Sequence, residues 1–378
     1  MALPTNFCVA PFIQLQTSRN ECGPCPYNPD LWEIKGNINE KWRSKELIDL
    51  RNSFLEGKKD PQCNRCWKEE DAGKRSLRLR LLNFKGSTNV EKVFEKYIAS
   101  KKYENFPRVL TLIPGNECNL ACATCSGVFS SKWNSLNINN DYSPYQRTVK
   151  NWNLSEEQYQ DIVDNSHHLQ KIELFGGEPF LNKKNKLNLI QKIVEKGTAK
   201  NIVLYFNTNG TMYDQNYLDY LTDNFKFVEI RQSIDGLHEE FEYLRYGAKF
   251  DAVIENAEKF ASLPNSNFEV ICTVSIFNVI TLPEFDQFMS QKKWSVYYNM
   301  VSTRDYLYPH NLPDETKDKI LFLDKFKDIK QYTYLKPCIS EHWQKFVNYT
   351  KLLDKNRKTS FKNAFPALFN LVKKHGYE

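Results

Sequence analysis

Asn116-Glu117-Cys118-Asn119-Leu120-Ala121-Cys122-Ala123-Thr124-Cys125 places three cysteines at the spacing C-x3-C-x2-C. Soft thiolates favour iron–sulfur clusters, zinc or copper(I). A closed structural zinc or iron–sulfur site takes four protein ligands. A compact loop that offers three suits a [4Fe–4S] cluster with one iron left open to a small molecule. On spacing alone, a zinc knuckle with a distant fourth ligand is the alternative. Just upstream, Arg108-Val109-Leu110-Thr111-Leu112-Ile113 is β-branched and apolar, as a buried strand should be. Pro114-Gly115-Asn116 breaks that strand into a loop. The thiolates therefore fall just past the C-terminal end of a strand, where α/β barrels and open α/β sheets place their chemistry.

A second strand-then-turn unit follows. Lys171-Ile172-Glu173-Leu174-Phe175 is apolar and runs straight into Gly176-Gly177-Glu178-Pro179. Two adjacent glycines leave backbone amides and carbonyls open to close approach by a ligand.

With both motifs in view, the chain resembles the radical S-adenosylmethionine (radical SAM) superfamily. The resemblance covers roughly residues 105 to 300 and rests on the cysteine loop after one strand and the GGEP turn after the next. It implies that Cys118, Cys122 and Cys125 ligate a [4Fe–4S] cluster whose open iron is chelated by S-adenosylmethionine. One electron then cleaves the sulfonium–C5′ bond, and a 5′-deoxyadenosyl radical abstracts hydrogen from the substrate. It implies also that Gly176, Gly177, Glu178 and Pro179 hold the methionine amino end. Further cofactor contacts are expected at later strand ends: Asn207, then Ser233 and Asp235, with Arg245 pairing with the carboxylate through its forked geometry. One departure is Thr124, which stands where relatives often carry an aromatic residue beside adenine.

The bulk numbers agree with a soluble globular chain. At 378 residues it can hold two domains, with 41% hydrophobic and 26% charged residues. No secretory pattern opens the sequence, and the longest apolar stretch, near Val270 to Phe277, is too short to span a bilayer. A cytoplasmic location without a membrane partner is the expectation. Ten cysteines without an export signal point to metal or redox chemistry rather than disulfides. A net charge of +6 does not demand nucleic acid, which is not the expected partner.

From Arg108 onward strands alternate with helices. Further strands are expected at Ile202–Phe206, Phe227–Ile234, Phe268–Phe277 and Trp294–Val301. Helices are expected from the capping box Ser155-Glu156-Glu157-Gln158 to Asp164, and at Lys186–Glu195, Asp214–Thr222, Asp251–Ala261 and Leu282–Ser290. Alternation of this kind argues for a parallel sheet with right-handed crossovers. The fold class is α/β, and the resemblance implies a partial (β/α)6 barrel open on one side over residues 105–301. A C-terminal helical region, 302–378, has helical periodicity at Asp314–Phe326 and Glu341–Leu353 and is expected to close the open side. A helical linker spans 81–104.

Residues 1–80 form an N-terminal cysteine-rich module with Cys8, Cys22, Cys25, Cys63 and Cys66 around a helix at Trp42–Arg51 capped by Ser44. Cys22-x2-Cys25 with Cys63-x2-Cys66 reads on its own as a four-cysteine zinc site. The segment also resembles the auxiliary-cluster modules called SPASM and twitch domains, here placed before the barrel. That resemblance implies an auxiliary Fe–S cluster on Cys8, Cys25, Cys63 and Cys66, with Cys22 spare and zinc as the alternative. Such clusters accompany oxidation or cross-linking of peptide side chains, so a peptide or protein substrate leads. A carbohydrate or cofactor precursor is the rival, and a non-catalytic Fe–S or zinc protein is the reading from another class. A flavodoxin- or ferredoxin-type reductant is implied as partner. Cys272 reads as a buried small hydrophobe, Cys338 as a loose thiol, and His167-His168 as surface loop residues.

Overall fold

The computed structural model describes residues 3–18, 20–26, 32–71, 75–82, 90–100, 106–136, 153–181, 183–301, 304–334 and 336–377. Its strands are β1 (Gln14–Thr17), β2 (Glu21–Gly23), β3 (Trp32–Glu33), β4 (Val109–Leu112), β5 (Ala121–Cys122), β6 (Lys171–Leu174), β7 (Val203–Thr208), β8 (Phe227–Ser233), β9 (Arg245–Tyr246), β10 (Ser266–Val274) and β11 (Ser295–Met300). Nine of them form one sheet in the order β11-β10-β8-β7-β6-β4-β1-β2-β3. From β11 to β1 every neighbouring pair is parallel, and β1-β2-β3 turns back as an antiparallel edge. The six strands expected from residue 108 onward are all present. The parallel run has a seventh member, β1, which comes from the N-terminal region and pairs Leu15 with Leu110.

The register puts one buried aliphatic residue from each of five strands in a row: Leu15, Leu110, Ile172, Leu204 and Val228. Helices Glu156–Asp164, Lys183–Glu195 and Gln215–Asn224 cover that row with Ile162, Val163, Leu189, Ile190, Ile193, Leu218 and Leu221. Each such side chain contributes about 1.5–3 kcal/mol on burial. The first of these helices starts at the expected capping box: Ser155 Oγ accepts from the Gln158 amide, and Gln158 Oε1 accepts from the Ser155 amide.

The other face is polar, unlike the usual apolar strands of a parallel sheet covered on both sides. Thr111 donates to Glu173 at 2.7 Å, Lys171 bridges Glu173 and Glu229, and Arg231 pairs with Glu269 while donating to Tyr205. Alternation of apolar and polar residues along β8 lets one strand serve both faces. The sheet curves so that its N-terminal flank meets the far edge. Arg80, on helix Leu77–Leu82, donates to the Tyr297 hydroxyl on β11 at 3.0 Å.

Two helical expectations need correction. Trp42–Arg51 is not one helix: Ile38–Trp42 ends before Ser44, whose hydroxyl then caps a second helix, Lys45–Leu55. Asp314–Phe326 contains only one α-turn, Asp314–Lys317, and a 3-10 turn at Asp324–Phe326. The longer helix there is Lys327–Tyr334. Exposed Leu321 and Leu323 mimic helical periodicity without being buried by any partner face. The second C-terminal expectation stands, extended to Ser340–Arg357. The expected helical linker is described only in part, as Leu77–Leu82 and Val90–Ser100, and its remainder lies outside the described residues.

Candidate active site

The cysteine loop begins where β4 ends. Ser131 pins Cys118 at both backbone groups: its hydroxyl accepts from the Cys118 amide at 3.1 Å and donates to the Cys118 carbonyl at 3.2 Å. β5 pairs antiparallel with β9, setting Cys122 opposite Arg245. The Trp133 indole donates to the Cys122 carbonyl at 3.0 Å. Sequence reading missed both the Trp133 contact and the β5–β9 pairing.

The three thiols share their environment. Burial pushes the Cys118 thiol up, pushes Cys122 up to about 12 against the pull of the Arg245 cation, and pushes Cys125 up to about 11. In this dry setting the thiolate form is uphill unless positive charge arrives with it. Soft thiols held together in this way, Cys122 buried and Cys118 and Cys125 half-buried, suit a metal cluster, since binding one releases the protons.

The GGEP turn sits directly over the loop. Gly176 and Gly177 both have left-handed φ, +75° and +51°. A Cβ on Gly176 would lie 2.6 Å from Ile113 Cγ2, and one on Gly177 would lie 2.3 Å from the Glu117 carbonyl oxygen. Only glycine lets this turn approach the cysteine loop so closely. The Glu178 amide donates to the Glu117 carbonyl at 2.8 Å. The fully buried Glu178 carboxylate accepts from Asn209 N at 2.7 Å, Thr208 Oγ1 at 2.9 Å and Phe180 N at 3.2 Å. It thereby ties the turn after β6 to the end of β7.

A cavity of about 390 Å³ opens between these parts. Cys118, Cys122, Cys125, Gly176, Gly177, Asn207, Ser233 and Arg245 all reach its wall, as does Thr124. Glu178, Pro179 and Asp235 do not line it. Asp235 is buried, accepts from the Thr273 amide at 2.7 Å, and lies 2.7 Å from Arg245 Nη2. Arg245 Nη1 faces Cys122 Sγ at 3.8 Å. Asn209, two residues beyond Asn207, donates to Cys118 Sγ at 3.9 Å. Gln16 and Pro26 bring the N-terminal region into the same wall, which no sequence pattern announced.

A second, smaller cavity lies in the N-terminal region. Cys8, Cys25, Cys63 and Cys66 all line it, with Phe54, Leu77, Leu81 and Arg78. Burial pushes the Cys8, Cys63 and Cys66 thiols up, and the other thiols of the set add to the shift of Cys8 and Cys63. Cys22 is elsewhere, packed into the sheet core and near Lys41. Among the described residues, no three Cys, His, Asp or Glu side chains close on a single-ion position. Cys272 is a buried core residue, and the Cys338 thiol is not loose, since it donates to the Asn311 carbonyl at 3.1 Å. Among the described residues, no helix is long and apolar enough to cross a membrane.

The family model described as Radical SAM superfamily matches residues 112–289. No curated protein matches the chain. Among solved structures, native anSMEcpe with bound AdoMet is 20% identical, with a TM-score of 0.41 over 66% of this chain and 60% of that one. Streptococcus suis SuiB bound to S-adenosylmethionine is 16% identical, with a TM-score of 0.41 over 81% of this chain and 65% of that one. The chain thus spans less than two thirds of the length of either. The matched segment, somewhat less than half of the chain, carries the cysteine loop, the GGEP turn and the strand ends around the 390 Å³ cavity, and it is this segment that is similar to the Radical SAM superfamily.

Proposed function

We propose that this chain cleaves S-adenosylmethionine reductively at a [4Fe–4S] cluster on Cys118, Cys122 and Cys125 and abstracts hydrogen from a peptide or protein side chain. The observation that carries the first part is that the three thiols and the two glycines of the GGEP turn share one cavity at the C-terminal ends of parallel strands. The donor set fits the cluster, because the thiols are soft, face one cavity and, at Cys122, are flanked by the Arg245 cation. The turn fits a methionine, because both glycines sit on the cavity wall beside the thiols with no side chain of their own. When bound, the cluster and S-adenosylmethionine supply the radical that takes the hydrogen atom.

The chain's own residues supply placement. Gly176 and Gly177 leave room for the methionine amino end, and Glu178 with Pro179 holds the turn from behind. Arg245, kept cationic and oriented by Asp235, offers the guanidinium for a carboxylate. Asn207 and Ser233 present polar groups for the ribose. Ile113, Leu120, Phe129 and Phe175 line the remainder and exclude water.

The substrate class rests on the resemblance to auxiliary-cluster modules and on the four thiols around the second cavity. An auxiliary Fe–S cluster on Cys8, Cys25, Cys63 and Cys66 is our reading of that cavity. Pro26, next to Cys25, reaches the first cavity, so the two sites adjoin. The domain division proposed is 1–80, 81–104, 105–301 and 302–378. The reductant proposed is a flavodoxin- or ferredoxin-type protein.

The test is anaerobic reconstitution followed by assay for 5′-deoxyadenosine with a strong reductant. The Cys118→Ala, Cys122→Ala, Cys125→Ala variant should produce none, and full turnover by it would overturn the cluster assignment. Incubation with a peptide encoded beside the gene should remove hydrogen from that peptide, read by mass spectrometry. Conversion of a sugar or cofactor precursor instead would retain the cluster and replace the substrate class.

A further inference from the structure

We propose that Arg304 and Arg357, two buried cations from the C-terminal region, hold up the one-electron reduction potential of the cluster site; this rests on Cys118, Cys122 and Cys125 being its ligands. Both side chains are almost fully buried. Their donors go to backbone carbonyls and, from Arg304 Nη1, to the Tyr349 and Tyr306 hydroxyls, rather than to carboxylates. Arg304 Nη2 donates to the Cys125 carbonyl and Nη1 to the Ala123 carbonyl at 3.3 Å. Arg357 Nη2 donates to the Ala121 carbonyl at 2.5 Å and Nη1 to the Tyr243 carbonyl at 3.3 Å. Tyr349, on the helix that ends at Arg357, donates to the Ala123 carbonyl at 2.7 Å. Both guanidinium groups also lie over the Trp133 ring, at 5.3 and 4.8 Å.

Among the described residues neither arginine has a carboxylate within 4 Å, in contrast to Arg245 with Asp235. Asp354 is on the same helix as Arg357 but turns its carboxylate to the Phe361 amide, at 2.9 Å. Hydrogen bonds to carbonyls take up the Nη donors, Arg357 Nε has no partner among the described residues, and no carboxylate in contact neutralises either charge. A buried cation in that state is unfavourable until an opposite charge completes it. The thiols of this loop and what they bind can offer that charge. Reduction moves one electron from an external donor, which is oxidised by one electron, to the site; no bond breaks and the site becomes one unit more negative. Two fixed positive charges in a low-dielectric surrounding favour that product. These residues are positioning and tuning residues, since they touch the loop's backbone and not the substrate.

The test is a redox titration of the anaerobically reconstituted full chain, followed by electron paramagnetic resonance, with iron content measured in parallel. Arg304→Gln and Arg357→Gln, each made alone, should lower the midpoint at least tenfold in the one-electron equilibrium constant, about 59 mV. Arg304→Lys and Arg357→Lys keep the charge and should move it by less than half of that. Tyr349→Phe removes a loop hydrogen bond and an Arg304 contact but no charge, and its midpoint should also move by less than half of that. Gln variants with full iron and an unchanged midpoint would overturn the proposal. So would a tenfold fall in a Lys variant or in Tyr349→Phe, which would assign the effect to geometry, and these variants decide the matter even where a Gln variant does not fold. A wild-type chain that takes up no iron would overturn the ligand assignment itself, and the proposal with it.

Discussion

Glu178 is the residue whose removal should tell most about the site's architecture. Its carboxylate accepts three hydrogen bonds in a fully buried position, from Asn209 N, Thr208 Oγ1 and Phe180 N. The Thr208 hydroxyl also accepts from the Gly210 amide at 3.1 Å, but in Glu178→Ala its O–H loses its acceptor. The Asn209 and Phe180 amides would be left as buried donors in Glu178→Ala. Each stranded donor costs about 1–3 kcal/mol, so the two amides alone should cost the variant roughly 2–6 kcal/mol. With a urea m-value on the order of 3 kcal/mol/M, the unfolding midpoint falls by about 1 M. Hydrogen exchange gives a sharper reading. A local loss of about 3 kcal/mol at the Asn209 amide speeds its exchange by more than roughly 100-fold, at about 1.4 kcal/mol per tenfold. Glu178→Gln keeps one acceptor oxygen but aims an NH2 group at a donor, so it should fall between wild type and Ala. Peptides covering Asn209 that exchange at the wild-type rate in Glu178→Ala, with an unshifted urea midpoint, would refute the role of this carboxylate as the bracket between the two turns.

Gly177→Ala should abolish S-adenosylmethionine binding by equilibrium dialysis, because its Cβ would sit 2.3 Å from the Glu117 carbonyl oxygen at a φ of +51°. Retained affinity would show that the turn can retreat. Glu240, whose carboxyl burial pushes up to about 7 while Thr281 donates to it at 3.0 Å, binds a proton in the folded chain at pH values where the unfolded chain has released it. Stability should therefore fall as pH rises from about 4.5 to about 7, by an amount on the order of 3 kcal/mol. Glu240→Gln should flatten that slope in urea titrations and leave the chain more stable at pH 8. For the second cavity, reconstituted protein should hold roughly eight iron atoms per chain, falling to roughly four in Cys63→Ala, Cys66→Ala. Zinc near one per chain, persisting through iron reconstitution, would replace the auxiliary cluster by a structural metal.

The parts of the fold that sequence made legible are those with strong local signals. Apolar strands ending at Pro114-Gly115 and Gly176-Gly177 marked β4 and β6, and the Ser155 capping box marked its helix to the residue. β1 to β3 were not legible. Gln14-Leu15-Gln16-Thr17 is short and half polar because one face lines the cavity, and its partner β4 is far along the chain. The candidate site divides in the same way. Cysteine spacing and the glycine turn have chemistry written into neighbouring residues. Arg304, Tyr349 and Arg357 belong to no motif, and they meet the loop only because the helix Ser340–Arg357 docks beside it. Exposed Leu321 and Leu323 show the opposite failure, in which local periodicity existed without a face to bury it.

The pairing of Leu15 with Leu110 also has a consequence in time. Synthesis at about 5–20 residues per second makes β1 wait roughly 5–20 seconds for β4 to leave the ribosome. Throughout that interval the edge of β1 that β4 will cover is unpaired, and an unpaired edge is a template for the wrong strand. The walls of the four-cysteine cavity, Cys8 through Leu81, all precede β4 in the chain. Metal captured there early would fix the N-terminal segment around its own small core, with Phe7, Phe12, Phe54 and Trp67 in it, before the long sheet exists. The nascent chain would then present β1 as the preformed edge on which the parallel sheet grows, strand by strand, in the order in which its remaining members emerge.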